Sequence, residues 1–274
     1  MGASGSTHCC TSADAVALAD PLVDSKDTSN ERPDVELPVA AASALPVIAA
    51  SELTVLGTIG DGGRGPVVRA DFRGRAVAVR TLDEKLSDEF CRYALKVHRL
   101  GSSYIVALVG VTNPLSSTPW LVTEFMDGGS VEQLVERKRR ANKERPALDP
   151  SLVSIAVAVA DGLTELHGIH LVYEHLQPRN VLLNSKGDIK LSDVTLGLDA
   201  SCATMTMCTN KSESFFWAPE ILTCEIDAAT SAANVYSLGV LLVELSTWEP
   251  PYTEAFRQGL TYMRIQIAIA NGDP

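Results

Sequence analysis

The chain has 274 residues, of which 46% are apolar and 21% charged, and its acidic residues outnumber the basic ones by 34 to 23. This length is sufficient for one large domain or two modest ones with an apolar core. The resulting net charge of −11 disfavours nucleic-acid binding as the main task, because phosphate contacts require clustered Lys and Arg. No apolar stretch approaches the roughly 20 residues of a membrane span, and the first residues lack the pattern of a secretory signal. Six cysteines without a CxxC pair indicate a reduced, cytoplasmic protein.

The first 50 residues differ in composition from the rest of the chain. They contain seven acidic residues against Lys26 and Arg32, and no aromatic residue. Such a segment cannot bury enough apolar surface to offset its loss of conformational entropy. We therefore predict that residues 1–50 are disordered and that a folded domain occupies residues 51–274.

Residues 51–126 have mostly strand-like patterns, whereas residues 127–274 have mostly helical ones. The predicted elements, in chain order, are strands 53–59, 67–72 and 76–80, helix 88–100, strands 105–111 and 121–125, helices 131–145 and 150–167, strands 181–183 and 189–191, and helix 231–247. This order predicts an α+β fold in which a small β-rich lobe precedes a mostly helical lobe.

A glycine cluster lies between the first two predicted strands. Gly60, Gly62, Gly65 and Val67 have the spacing G-x-G-x-x-G-x-V, and glycines let a backbone approach phosphate oxygens closely. The same residues suit a plain β-hairpin turn. A dinucleotide-binding fold would require a helix after the motif, and a strand follows instead. Taken alone, the cluster leaves a phosphate-binding turn and a plain hairpin open.

More specific motifs follow in order along the chain. They are Val77-Ala78-Val79-Arg80, Leu121-Val122-Thr123-Glu124-Phe125-Met126, His175-Leu176-Gln177-Pro178-Arg179-Asn180, Ser192-Asp193-Val194-Thr195 and Trp217-Ala218-Pro219-Glu220. Asn180 follows His175 by five positions, and Asp193 follows it by eighteen. In this order and spacing the chain resembles the protein kinase family, and within it the tyrosine kinase-like group with a catalytic loop of the Ser/Thr type. The resemblance implies a two-lobed kinase fold, here with a second lobe that lacks its last helices.

The resemblance also implies a nucleotide site for ATP with Mg²⁺. The residues that match the family's nucleotide-binding positions are Gly60, Gly62, Gly65, Val67, Ala78, Arg80, Thr123, Glu124, Met126 and Leu182. Asn180 and Asp193 match its two Mg²⁺ ligands, and oxygen ligands of this kind suit that ion. Ordinary roles remain open for both, Asp193 as a turn residue and Asn180 as a loop cap.

Two charged positions of the nucleotide site depart from the family pattern. Arg80 replaces the strand Lys that binds phosphates, and its planar fork is not equivalent to an ammonium group. Tyr93 aligns with the helix Glu that pairs with that Lys. Arg80 is therefore expected to lack a carboxylate anchor, unless Glu89 supplies one.

The catalytic loop departs further. The triplet Tyr173-Glu174-His175 replaces His-Arg-Asp, so that a histidine stands where the family has its catalytic Asp. Gln177 replaces the Lys that neutralises the transferred phosphate, and Asn234 replaces an Asp that anchors the loop. A histidine can act as a general base, and it can also mark a position that changed after catalysis was lost.

These departures predict a pseudokinase, which binds ATP, transfers phosphate poorly and acts in signalling through protein partners. The alternative is a divergent, active Ser/Thr protein kinase that uses Arg80, Asp193 and Asn180, with His175 as an unusual base. Its candidate catalytic positions are then His175, Gln177 and Arg80. A scaffold that binds no nucleotide would follow if Tyr93 filled the pocket.

Two surface motifs remain. The start of the chain fits M-G-x-x-x-[ST], so Gly2 is a candidate for myristoylation and Cys9 and Cys10 for a second acyl anchor. These would attach the protein to the cytoplasmic face of a membrane, and an ordinary Ser/Gly-rich start is the alternative. The basic run 137–140 is either a solvated helix face or a patch that docks a partner.

Overall fold

The computed structural model describes residues 45–62, 65–82, 86–141, 150–194, 213–223 and 230–272. All of them belong to one compact unit of the chain. Most of the predicted disordered segment lies outside the described residues, as do Gly2, Cys9 and Cys10. The predicted acylation and disorder of that segment therefore stay predictions.

The first lobe is a five-stranded antiparallel sheet in the order β1-β2-β3-β5-β4, with one helix packed on β4. Its elements are β1 (Leu53–Gly62), β2 (Gly65–Phe72), β3 (Arg75–Thr81), α1 (Asp88–Leu100), β4 (Leu108–Thr112) and β5 (Trp120–Glu124). Helix α1 begins where the Ser87 hydroxyl accepts a hydrogen bond from the Phe90 N–H, and it ends at Gly101, whose φ is +61°. These are the capping residues that helix ends favour.

The glycine cluster lies where β1 and β2 of an antiparallel hairpin meet. Gly60 lies opposite Val67, and Gly62 lies opposite Gly65. A strand follows the motif, as predicted, so the structure has no strand-to-helix turn here and excludes the dinucleotide-binding arrangement.

A short segment before β1 packs against the edge of this sheet. Leu45 and Ile48 are 3% and 4% exposed. The Ile48 N–H donates to the Val111 carbonyl over 2.9 Å, and the Val111 N–H donates to the Pro46 carbonyl over 2.8 Å. The segment therefore pairs in parallel with β4. The folded part of the chain thus includes residues that composition had placed in the disordered segment, because their few apolar side chains cover a sheet edge.

The second lobe is mostly helical and contains a three-stranded sheet in the order β6-β7-β8. Its described elements are β6 (Gly129–Ser130), α2 (Val131–Ala141), α3 (Leu152–Gly168), β7 (Val181–Leu183), β8 (Ile189–Leu191), α4 (Pro219–Leu222), α5 (Ser231–Thr247), α6 (Thr253–Arg257) and α7 (Tyr262–Asn271). Helices α3 and α5 pack against each other around the main apolar core. The two-lobed α+β fold is confirmed. None of the described helices has the length and apolar character needed to cross a membrane.

Backbone hydrogen bonds connect the two lobes. The Val106 N–H donates to the Leu191 carbonyl, and the Leu191 N–H donates to the Tyr104 carbonyl, each over 2.8 Å. Residue 105 thus bridges to β8 rather than extending β4, which begins at Leu108 and not at the predicted residue 105. These bonds join β8 to the segment between α1 and β4.

Candidate active site

The first-lobe sheet supplies one wall of a cleft between the lobes. Alternate residues of a strand point to opposite faces, and along β3 Val77 and Val79 are buried whereas Ala78 is half-buried. Ala78 pairs with Thr123 of β5 in the sheet register. Both residues, which the sequence predicted to bind nucleotide, therefore lie side by side on one face of the sheet, and both are half-buried. Val67 is half-buried as well, and it lies opposite Arg80.

The other wall comes from β7. Leu182 is half-buried, whereas Val181 and Leu183 on either side of it are buried. Leu182 pairs with Lys190 of β8. The alternation again separates Leu182 from the core residues on either side of it, and the prediction that Leu182 lies below a bound base stays a prediction.

Glu124 and Met126, which the resemblance assigns to the nucleotide site, have structural contacts of their own. The Glu124 carboxylate accepts hydrogen bonds from the Ala107 N–H over 2.8 Å and from the Lys190 ammonium over 2.7 Å. The Met126 side chain is 6% exposed and belongs to the core. Any contact of Met126 with a nucleotide would therefore involve its backbone. The Glu124–Lys190 ion pair joins the lobes and was not predicted.

The backbone at Gly60 has open space beside it. A Cβ added to Gly60 would have no atom of the described residues within 4 Å. Packing within the protein therefore does not require glycine there. Space beside the strand is what close approach of a phosphate group would need.

Arg80 forms a charge-paired contact across the cleft with Asp193. Its Nη2 donates to both carboxylate oxygens of Asp193, over 3.0 Å and 2.8 Å. The two side chains are 13% and 24% exposed, and charge-assisted hydrogen bonds in such a setting are among the stronger ones. The expectation that Arg80 lacks a carboxylate anchor is wrong. Its anchor is the predicted metal ligand, and Glu89 is exposed on α1.

The backbone at Asp193 has a φ of +55°. A non-glycine residue in the left-handed region costs on the order of 1 kcal/mol. The ion pair with Arg80 contributes to offsetting that cost. Such a conformation is typical of residues whose orientation serves a site.

Tyr93 is half-buried and packs against the main core of the second lobe. The Lys96 ammonium lies 5.4 Å from the centre of the Tyr93 ring. Where the family has a Glu that pairs with the strand Lys, this chain has a tyrosine that makes apolar contacts between α1 and the second lobe. Val194, which replaces a Phe of the family pattern, packs against the same core.

The catalytic loop is connected to the Asp193 loop by a buried tyrosine. The Tyr173 hydroxyl donates to the Ser192 carbonyl over 2.7 Å, and the side chain is 1% exposed. The Ser192 N–H and hydroxyl both donate to the Asn180 carbonyl. Asp193 is therefore positioned by the residue just before it, through both of these contacts.

Asn234 anchors the same loop from helix α5. Its Oδ1 accepts from the Tyr173 N–H over 3.0 Å, and its Nδ2 donates to the Tyr173 carbonyl over 2.5 Å. Nε2 of His167 lies 2.9 Å from the same Oδ1. The sequence predicted a weakened anchor at Asn234, whereas the amide binds both the donor and the acceptor of one residue.

The remaining predicted site residues occupy the turn after Tyr173. The Asn180 Nδ2 donates to the His175 carbonyl over 2.8 Å, which leaves the Asn180 side-chain oxygen as the atom suited to a metal. His175 is half-buried. Gln177 is buried at 6% exposure and lines a second cavity in the helical lobe.

A family model described as "Protein tyrosine and serine/threonine kinase" matches residues 53–265. The chain belongs to the protein kinase family. The match covers both lobes, including the β1–β2 hairpin, the catalytic loop and the Asp193 loop.

Curated relatives agree with this family. The chain is 30% identical to serine/threonine-protein kinase 10 of Xenopus tropicalis over 233 residues, which is 80% of this chain and 23% of that protein. The same protein of Rattus norvegicus is also 30% identical, with 80% and 22% covered. Serine/threonine-protein kinase AfsK of Streptomyces coelicolor is 31% identical over 206 residues, with 72% and 25% covered. The chain thus spans about a quarter of the length of these relatives.

Kinases of this family generally use ATP with Mg²⁺, and the two parts of that cofactor fit this site differently. The half-buried residues of the two walls and the room at Gly60 fit a nucleotide. The metal position fits less well, because both carboxylate oxygens of Asp193 accept from Arg80. A cation there would compete with a guanidinium group for the same oxygens.

Proposed function

We propose that this kinase domain binds ATP but transfers phosphate poorly, and that it acts in signalling through contacts with protein partners. The observation that supports this most is the Arg80–Asp193 ion pair. Phosphoryl transfer depends on positioning and on charges that stabilise the transferred group. Arg80 stands at the position of the phosphate-binding cation and Asp193 at the position of a metal ligand. Because the two side chains pair with each other, neither charge is free for those roles.

The catalytic loop supports the same proposal. His175 stands where the family has the Asp that accepts the substrate proton, and Gln177 is neutral where the family has a Lys. Loss of one electrostatic contact of this kind typically costs about 10²–10³ in rate. Two such changes, together with the paired Asp193, are expected to leave little activity.

Thermal unfolding with ATP, with ATP and Mg²⁺, and with neither tests nucleotide binding, and an autophosphorylation assay on the same preparation tests transfer. We expect ATP to raise the midpoint of unfolding and no phosphate to be incorporated. The variant Ala78→Leu, which adds bulk on the cleft face of β3, is the control and should lose the ATP effect. An unshifted midpoint in the parent would favour the scaffold that binds no nucleotide.

An active Ser/Thr kinase is the second candidate, and the intact loop geometry favours it. Asn234 and Tyr173 still connect the catalytic loop to α5 and to the Asp193 loop. Under this alternative His175 is the general base. Phosphorylation of protein substrates by pure protein, lost in His175→Ala and retained in His170→Ala, would establish it against our proposal.

The kinase subgroup and the localisation of the protein are inferred from its sequence alone. We propose membership of the tyrosine kinase-like group from the sequences of residues 121–126 and of residues 235–245. We also propose cytoplasmic localisation, with anchoring through Gly2 and Cys9 or Cys10. If Gly2→Ala divides between the membrane and cytosol fractions in the same proportion as the parent, the anchor is contradicted.

A further inference from the structure

Residues 125–128 connect β5 of the first lobe to β6 of the second, and we call them the linker. Met126 lies within the linker, and its side chain is buried in the core at 6% exposure. A nucleotide in the cleft can therefore contact Met126 only through its backbone. Binding of a base at this point depends on how well the surrounding structure holds the linker in one conformation.

The second lobe holds the end of the linker. The Ser185 N–H donates to Oδ1 of Asp127 over 2.7 Å, and the Gly128 N–H donates to the Leu183 carbonyl over 2.9 Å. A Cβ added to Gly128 would lie 2.8 Å from the same carbonyl oxygen, so this close approach requires glycine. The linker is thus fixed against the end of β7 and the residues that follow it.

Arg69 of β2 lies on the face of the sheet that carries two predicted nucleotide-binding residues. In the sheet register Arg69 is opposite Ala78, and Ala78 is opposite Thr123. Residues directly opposite each other on antiparallel strands point to the same face. Arg69, Ala78 and Thr123 therefore form a row across three strands, and the side chain of Arg69 is the exposed member of that row.

The Arg69 side chain reaches the linker at Phe125. The central carbon of its guanidinium lies 4.9 Å from the centre of the Phe125 ring, and a cation at this distance is attracted to the face of an aromatic ring. Hydrogen bonds with Ser185 hold the pKa of Asp127 below its usual value, and the charge of Arg69 acts in the same direction. Arg69 thus interacts with the linker residues on both sides of Met126.

We propose that Arg69 is a positioning residue of the nucleotide site, which holds the linker through the Phe125 ring and so presents the Met126 backbone to a bound base. This inference rests on the proposed binding of ATP and names a residue outside the sequence motifs on which that binding depends. Arg69 and Asp127 are both exposed, so their contacts hold the linker without being needed to fill the core.

The contact between Arg69 and Phe125 sets an upper limit on the effect. A contact can shift the conformational equilibrium of the linker by no more than its own free energy. An exposed cation–π contact corresponds to about twofold to fivefold in an equilibrium constant. Loss of Arg69 should therefore weaken nucleotide binding by about threefold, while the fold itself stays intact.

Isothermal titration calorimetry of the full chain with ATP and with adenosine tests the proposal. Arg69→Leu should weaken binding of both ligands by the same factor of about three, because both contain the base. Adenosine has no charge, so its affinity does not report attraction between Arg69 and the phosphates. A loss confined to ATP would show such attraction and overturn the positioning role, and so would equal affinities of the parent and Arg69→Leu.

Arg73 provides a matched control in the same lobe. Its guanidinium also lies 4.9 Å from the centre of a ring, that of Phe72, but the contact is at the turn between β2 and β3 and not at the linker. Arg73→Leu should change the affinity for either ligand by less than about 1.5-fold. If Arg73→Leu weakens binding as much as Arg69→Leu does, a general effect of surface charge replaces the proposed role.

Two further variants test the path through Phe125. Arg69→Lys keeps a cation over the ring and should recover part of the affinity that Arg69→Leu loses. In the Phe125→Leu background, Arg69→Leu should have no further effect, because the ring through which Arg69 acts is absent. A full threefold loss in that background would overturn the proposal.

The parent protein separates this inference from the proposed function. If the parent binds ATP and the Arg69 variants bind it equally well, the positioning role is refuted and ATP binding stands. If the parent binds no ATP, the proposed function is refuted and this inference with it.

Discussion

At the scale of single residues, Asn234 replaces a carboxylate by an amide and keeps the catalytic loop attached to helix α5. The amide donates to the Tyr173 carbonyl and accepts from the Tyr173 N–H. A carboxylate accepts but cannot donate when ionised. The contact to the carbonyl therefore depends on the amide that this chain has.

Substitution of Asn234 should reveal this difference. Asn234→Ala leaves a buried N–H and a buried carbonyl of Tyr173 without partners, and we expect a loss of about 2 to 3 kcal/mol in the free energy of unfolding. Asn234→Asp, which retains the acceptor, should lose about 1 kcal/mol. Urea denaturation measures both, with exposed Asn271→Ala as the control. A neutral Asn234→Ala would contradict the anchoring role.

Glu244 should make stability depend on pH. Burial, with Glu132 nearby, raises its pKa to about 7 in the folded protein, above the reference value of 4.5, so the folded state binds a proton that the unfolded state has released between these values. Stability relative to Glu244→Gln should then be highest below pH 4.5 and fall as pH rises toward 7, by about 3 kcal/mol. Denaturation of both proteins across this range checks the sign, and a rise with pH would contradict it.

At the scale of elements, the segment before β1 covers the free edge of β4. An uncovered edge strand presents unpaired N–H and carbonyl groups to other chains. The segment approaches closely at Gly110, where an added Cβ would lie 2.5 Å from the Pro46 carbonyl oxygen. The glycine is therefore required by packing at this position.

Neighbouring side chains of this segment allow a matched test. Leu45→Ala and Ile48→Ala remove buried side chains, and each should lower the free energy of unfolding by about 2 to 4 kcal/mol. Val47→Ala, in the same segment, alters a side chain that is 58% exposed, and it should change stability by less than about 0.5 kcal/mol. Similar effects of all three substitutions would show that the segment does not pack in solution as described.

Sequence patterns predicted most elements because those elements have strong local signals. The bounds of α1, β7, β8 and α5 agree with the predicted ranges, since periodicity and capping residues define them. The edge segment at residue 45 was missed because its surroundings are acidic and lack aromatic residues, and its partner in β4 is distant in sequence. A tertiary contact of that kind leaves no local pattern.

The sequence predicted where the residues of the candidate site lie in the chain, but it did not predict which of them contact each other. Motif spacing located Arg80, Asn180 and Asp193, but the Arg80–Asp193 pair depends on how the two lobes meet. Glu244 had a visible signal, a single charge within the apolar run Leu241–Leu245, which indicates a buried ionisable group.

At the scale of the whole molecule, side-chain ion pairs connect the lobes across the cleft. Arg80 binds Asp193, and Lys190 binds Glu124. Both pairs involve a first-lobe strand and a residue of the second lobe. The relative position of the lobes is thus coupled to charges that a nucleotide and its metal would alter.

Removal of Arg80 should change the response to metal. In the parent we expect ATP to stabilise the protein equally with and without Mg²⁺, because Asp193 is occupied by Arg80. In Arg80→Gln the ATP-induced shift should become larger when Mg²⁺ is present, since Asp193 is released. Thermal unfolding gives both values, and Arg75→Gln, an exposed cation on the same strand, is the control. A strong Mg²⁺ effect in the parent would contradict the competition.

The link between the catalytic loop and the Asp193 loop has a consequence for the conditions under which the protein works. A histidine at position 173 would change its charge near neutrality. The phenol of Tyr173 does not, because burial, with the negative charge of Asp193, raises its pKa well above 10. The same hydroxyl therefore donates to the Ser192 carbonyl at acidic as at neutral pH, and this contact between the catalytic loop and the Asp193 loop does not depend on a proton that physiological changes of pH would add or remove.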